Sequence, residues 1–230
     1  MKKLFIIACC LIIASCANLR PETATNYEAQ LGYPEETENF VVIRKKQFDE
    51  PLLGMMLEYT NKQYTRDNID LYVYPIASYA WSDAEETLNG EMQRILAEVD
   101  QAIEYGYYQS RGEEVTEPFS FTKNGTEYAG VKSSFELTDN NDIKHFSNAY
   151  VFLGEDKYLK FRTTFNSIDT VPWNGDDAVK ELLPTIEVPA ESQYMARLRA
   201  EHKQRVTQNI MNLFLQAAQQ EPKEDDQRQQ

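Results

Sequence analysis

Asn124-Gly125 stands between two runs in which apolar and polar residues alternate, EPFSFTK (117–123) and TEYAGVKSSFEL (126–137). Both turn residues tolerate the positive φ that a type I′ turn demands, so the pair predicts a two-residue hairpin with Phe121 opposite Tyr128. A connection that short joins only antiparallel neighbours. Whatever sheet this chain builds has to be antiparallel at this point.

Further runs extend the same reading. NFVVIRKKQF, LLGMMLEYTNK and NIDLYVYPIA (68–77) are apolar or aromatic and are separated by Asp, Asn and Pro, which predicts three consecutive strands in a meander. In the third, Ile69, Leu71 and Val73 face one way and Asp70, Tyr72 and Tyr74 the other. NAYVFL, the turn GEDK and YLKFRTTF predict a second hairpin.

Between the two sets lies a helix. Ser82 and Glu85 have the spacing of a capping box. Leu88, Met92, Ile95, Leu96, Val99 and Ile103 recur every three or four residues on one apolar face, and Gly106 is a stop signal. Asp176 to Leu183 reads as a short helix ended near Pro184. From 192 to 218 a long helix carries Met195, Leu198, Val206, Ile210, Leu213 and Ala217 in one stripe, a face expected to dock on the domain or on a partner. These elements predict an α+β class: a mainly antiparallel sheet of about seven strands with flanking helices and a long C-terminal helix. The order of elements resembles the PsbP-like fold, a sheet flanked by helices; the resemblance rests on that order alone.

The first residues have a different purpose. Lys2 and Lys3 precede an apolar run from Leu4 to Ala14, too short for the roughly 20 residues that span a bilayer and laid out as an export signal. Ile13-Ala14-Ser15-Cys16 resembles the lipobox of bacterial lipoproteins. That resemblance implies cleavage before Cys16, palmitate or a similar acyl group on Cys16, and membrane attachment through it. Ala17, in place of the aspartate that retains such proteins at the inner membrane, implies delivery to the periplasmic face of the outer membrane if the source is Gram-negative. Cys9 and Cys10 leave with the signal, so the mature chain keeps one cysteine and can form no internal disulfide.

The organisation then reads as a signal peptide over 1–15, an anchor and flexible linker over 16–38, one globular domain over 39–218 and a disordered tail over 219–230. The linker stretch ANLRPETATNYEAQLGYPEETE has no apolar periodicity and, as a free coil, would span about 25 Å. The mature chain has 230 − 15 = 215 residues, with 21 basic against 37 acidic, a net charge of −16. Such a surface repels nucleic acid and anionic headgroups, so no nucleic-acid partner is expected.

Catalytic signals are sparse. The two histidines are His145, beside a strand, and His202, inside the stripe of the last helix. Neither has a second ligand at the i+4 spacing of a metal site, and no G-x-S-x-G elbow or phosphate loop occurs. DNNDIK (139–144) reads as a turn and NGDD (174–177) as a helix start, each in preference to a cation site. No catalytic set, metal or cofactor is expected. The one suggestive cluster is aromatic: Tyr72, Tyr74, Tyr79, Trp81, Tyr105, Tyr107 and Tyr108, rings able to stack on a sugar or grip a small ligand, or else to fill the second face of a sheet under the 82–105 helix. The expected role is a non-enzymatic envelope lipoprotein that binds a protein partner or supports an assembly. The alternatives are a small-ligand or glycan binder using the aromatic cluster and, weakest, a hydrolase with a carboxylate pair.

Overall fold

The computed structural model describes residues 25, 27–65, 67–79, 81–165 and 174–219. The signal, Cys16 and the tail from 220 onward lie outside the described residues. In chain order the elements are α1 (Tyr27–Gln30), β1 (Phe40–Gln47), a 3-10 turn (Pro51–Leu53), β2 (Met55–Asn61), β3 (Asn68–Pro75), α2 (Ala84–Glu104), β4 (Ser110–Arg111), β5 (Val115–Lys123), β6 (Thr126–Thr138), β7 (Lys144–Gly154), β8 (Lys157–Phe165), α3 (Gly175–Leu182), a second 3-10 turn (Leu183–Thr185) and α4 (Gln193–Gln219).

The strands form one antiparallel eight-stranded sheet in the order β1-β2-β3-β8-β7-β6, with β5 and the two-residue β4 along the outer edge of β6. The class is α+β. The Asn-Gly hairpin forms as the turn chemistry requires: Asn124 has φ 53° and Gly125 φ 80°. Phe121 pairs with Tyr128 across it, their rings stacked with centroids 5.0 Å apart. The first three strands form the meander, and β7 and β8 form the second hairpin. The eighth strand, β4, is too short to leave an alternation pattern in sequence.

The sheet buries both faces because its strands alternate. Leu57, Leu71, Val73, Tyr150, Leu159 and Phe161 build one core with Ala178, Val179 and Leu182 of α3. Val131, Phe135, Ala149 and Val151 face the other way, under Met92, Ile95, Leu96 and Val99 of α2. That helix lies over β6 and β7. Farther along the same face Asp70, Tyr72 and Arg162 remain half-buried.

Two expectations need correcting. The first core is completed by Tyr27, 0% exposed, and Leu31, 6% exposed, so the folded unit begins well before residue 39 and the linker read over 16–38 is shorter at its C-terminal end. The segment is held by a bridge, Gly32 N to Glu187 O at 3.0 Å and Glu187 N to Gly32 O at 2.8 Å. Its partner lies more than 150 residues away in sequence, which local periodicity does not register. Each such buried side chain contributes roughly 1.5–3 kcal/mol. The second correction concerns α2, whose N-cap is Asp83 and not Ser82: Asp83 Oδ1 accepts from Glu86 N at 3.0 Å. A carboxylate caps as well as a hydroxyl and also meets the positive end of the helix. The stop is as read. Gly106 N donates to Ile103 O and Tyr107 N to Ala102 O, the paired bonds of a Schellman motif.

Candidate functional site

Two regions depart from an ordinary solvated surface, the last helix and a cleft beside α2.

Ser192 caps α4, its Oγ accepting from Met195 N at 3.2 Å, and Met195 is 1% exposed. The next turns are fixed by charge and ring contacts. Arg199 donates to Ile76 O at 2.9 Å and to Glu191 Oε1 at 3.1 Å, with its guanidinium carbon 4.0 Å from the Trp81 ring centroid. His202 stacks on Tyr79 at 3.8 Å with the rings 2° from parallel; it packs, as its place in the stripe implied. Beyond His202 every described side chain through Gln216 is exposed. Val206, Ile210, Met211, Leu213, Phe214 and Leu215 are 40–70% exposed. At about 100° per residue these side chains cover an arc of roughly 200°. The opposite side carries Gln208, Asn209, Asn212 and Gln216. No charged residue occurs between Arg205 and Glu221.

The cleft has a volume of about 430 Å³. Its floor is set by register: Tyr72 pairs with Lys160 and Tyr74 with Tyr158 across β3 and β8, so all four point to the same face. Leu52 and Leu53 form one wall; Glu91, Arg94 and Glu98 of α2 form the other. The Tyr74 hydroxyl donates to Glu91. Arg94 binds the same carboxylate through Nε at 2.9 Å and also pairs with Glu98. Burial pushes the Tyr72 hydroxyl up to about 12, and burial with the Glu91 carboxylate pushes Tyr74 higher still. Lys160 is 8% exposed, and burial pulls its pKa down. Its ammonium lies 4.6 Å from the Tyr72 centroid and 5.4 Å from that of Tyr74; Glu98 Oε2 is 3.5 Å away.

The aromatic residues singled out in sequence are thus divided among four places. Tyr72 and Tyr74 line the cleft; Tyr79 and Trp81 hold the root of α4; Tyr105 and Tyr107, 70% and 69% exposed, stand at the end of α2. Tyr108 packs at the edge of the α2 core. Lys160, Glu91 and the leucines of the 3-10 turn were not anticipated. A signal existed for Glu91, a carboxylate inside the apolar stripe of α2. None existed for Lys160, because the pairing of β3 with β8 is far from local.

The loop 139–144 is a turn closed by Asp139, whose carboxylate accepts from Asn141 N at 2.8 Å, from Ile143 N at 2.9 Å and faces His145 Nε2 at 3.1 Å. Those bonds, that from Ile143 first, hold its pKa below the ordinary value. NGDD is the start of α3, with Asn174 and Asp177 in a reciprocal capping box. No group of three or more metal-ligating side chains forms among the described residues.

No family profile matches the chain, and no curated protein does. Among solved structures, the solution structure of cyanobacterial PsbP (CyanoP) from Synechocystis sp. PCC 6803 aligns with 70% of this chain and 93% of that one, at 13% identity and a TM-score of 0.39.

Proposed function

We infer that this chain is a lipid-anchored envelope protein without enzymatic activity, and that it delivers α4 into an apolar groove on a protein partner. The observation that carries this reading is the uncharged, fully exposed half of α4. A helix that is apolar over more than half its circumference is stable in water at a cost, and partners recognise such faces by enclosing them. From Lys203 to Gln219 the helix runs roughly 25 Å, about two heptads, short of the three or four that sustain a coiled coil with a second copy. An interfacial membrane helix would carry Lys or Arg all along its polar side; here that side has Arg205 at its start and then only the amides Gln208, Asn209, Asn212 and Gln216. The occupant that fits is a groove of another protein, lined with apolar groups and rimmed by neutral hydrogen-bonding groups.

Support for the anchor is the Ile13-Ala14-Ser15-Cys16 motif after an apolar run. Replacing Cys16 with Ser should release the protein from membranes; continued partition at the mature mass would refute the anchor. For the helix, a photo-crosslinking residue at 213, on the apolar arc, should capture one defined envelope protein, and the same residue at 208 should capture far less. Leu213→Asp should abolish the adduct. Crosslinks to a second copy or to lipid, or equal capture from both positions, would overturn the groove.

A further inference from the structure

We propose that the cleft between α2 and the Pro51–Leu53 turn binds a small amphipathic acid, its apolar body against Tyr72, Tyr74 and Leu52 and its carboxylate on Lys160. The volume of about 430 Å³ is within the range of small-ligand sites. The floor offers ring faces and one wall aliphatic carbon, while the charged groups are Lys160 and the α2 residues Glu91, Arg94 and Glu98, which suits a ligand with an apolar body and a single polar head.

The head is specified by what the ammonium lacks. Lys160 has three N–H donors and is more than nine-tenths buried. Among the described residues its acceptors are two ring faces and Glu98 Oε2 at 3.5 Å, the outer limit of a hydrogen bond. A buried ammonium so poorly served gains most from a charge-assisted bond to an incoming carboxylate. Glu91 does not supply it, since Arg94 and the Tyr74 hydroxyl both take that carboxylate. Glu98 is a partial stand-in: its side chain is 42% exposed and it is shared with Arg94. It holds the same chemical group at the position a ligand head would take, and it can turn to solvent when displaced. Arg94 then keeps Glu91 as its partner.

The test is calorimetric titration of the Cys16→Ser chain, which carries no attached acyl group to compete, with decanoate, decanol and decyltrimethylammonium. Decanoate should bind at least tenfold more tightly than decanol, and the cation should bind most weakly. Lys160→Met should weaken decanoate at least tenfold and change decanol less than twofold. Glu98→Gln, which removes the competing carboxylate, should tighten decanoate several-fold. Leu53→Asp, at the exposed lip, should weaken decanoate and decanol alike and serves if Lys160→Met fails to fold. Absence of decanoate binding, equal affinity for decanol, or weaker decanoate binding by Glu98→Gln would each overturn the proposal.

Discussion

Two lysines three residues apart on β8 show how differently a buried charge can be treated. Lys157, 0% exposed, pairs with Asp156 and donates to Pro189 O at 2.7 Å and Ala190 O at 3.2 Å. Lys157→Met leaves a buried carboxylate with only Arg199 Nη2 at 3.5 Å and two carbonyls without this donor, and should cost on the order of 3 kcal/mol, read as a lower urea midpoint. Lys160 lacks such partners, so Lys160→Met should change stability by no more than about 1 kcal/mol. Glu181 gives the pH counterpart. Burial alone would raise its pKa, but bonds from the Asn39 side chain, Thr37 and Asn39 N outweigh it and hold the carboxyl below its ordinary 4.5. A group depressed in the folded state stabilises fully above its unfolded value and loses that contribution as pH falls through the folded one. Wild type should therefore exceed Glu181→Gln in stability above pH 4.5, and the gap should close with further acidification; a pH-independent gap in melting temperature would contradict this. At this scale sequence was weakest. Lys157 and Lys160 look alike in KYLK (157–160), and only long-range contacts separate their fates.

Elements were legible where their signal is local. The Asn-Gly turn, the apolar stripe of α2 and the glycine that ends it are short-range devices, and each forms where it was read. The same helix allows one substitution to be tested with opposite signs. Gly106 has φ 78°, and a Cβ there would meet nothing within 4 Å, so Gly106→Ala should cost about 1 kcal/mol from the left-handed backbone alone. Gly90 lies inside α2, also with open space around its Cβ position, and Gly90→Ala should stabilise by about 0.5–1 kcal/mol. Thermal or urea melts of the two variants should move in opposite directions. Elements whose existence depends on distant partners were missed: β4 has two residues, and α1 owes its place to a bridge with Glu187 and a pocket for Tyr27. The sheet order was unreadable for the same reason, since β3 meets β8 only after α2 and four other strands have intervened.

For the molecule as a whole, the stripe on α4 predicted docking but not its extent, because periodicity is the same on either side of the point where the domain surface ends. That point is His202. A chain ending there should keep its melting temperature within about 2 °C, since every described side chain beyond it, 203 to 216, is exposed, yet lose the crosslink from the last helix. Association through an uncharged face should also change little between low and high salt; steep weakening would instead assign recognition to the basic residues 197–205. The place where α4 departs has a mechanical meaning. Lys157 joins the carbonyls just before α4 to the ring of Tyr27, 5.3 Å from its ammonium, so the first described helix and the start of the last one meet across one side chain. If the proposed anchor and partner load the two ends, tension would meet at this junction in shear, and Lys157, the first residue of β8, would be the point at which the sheet first feels it.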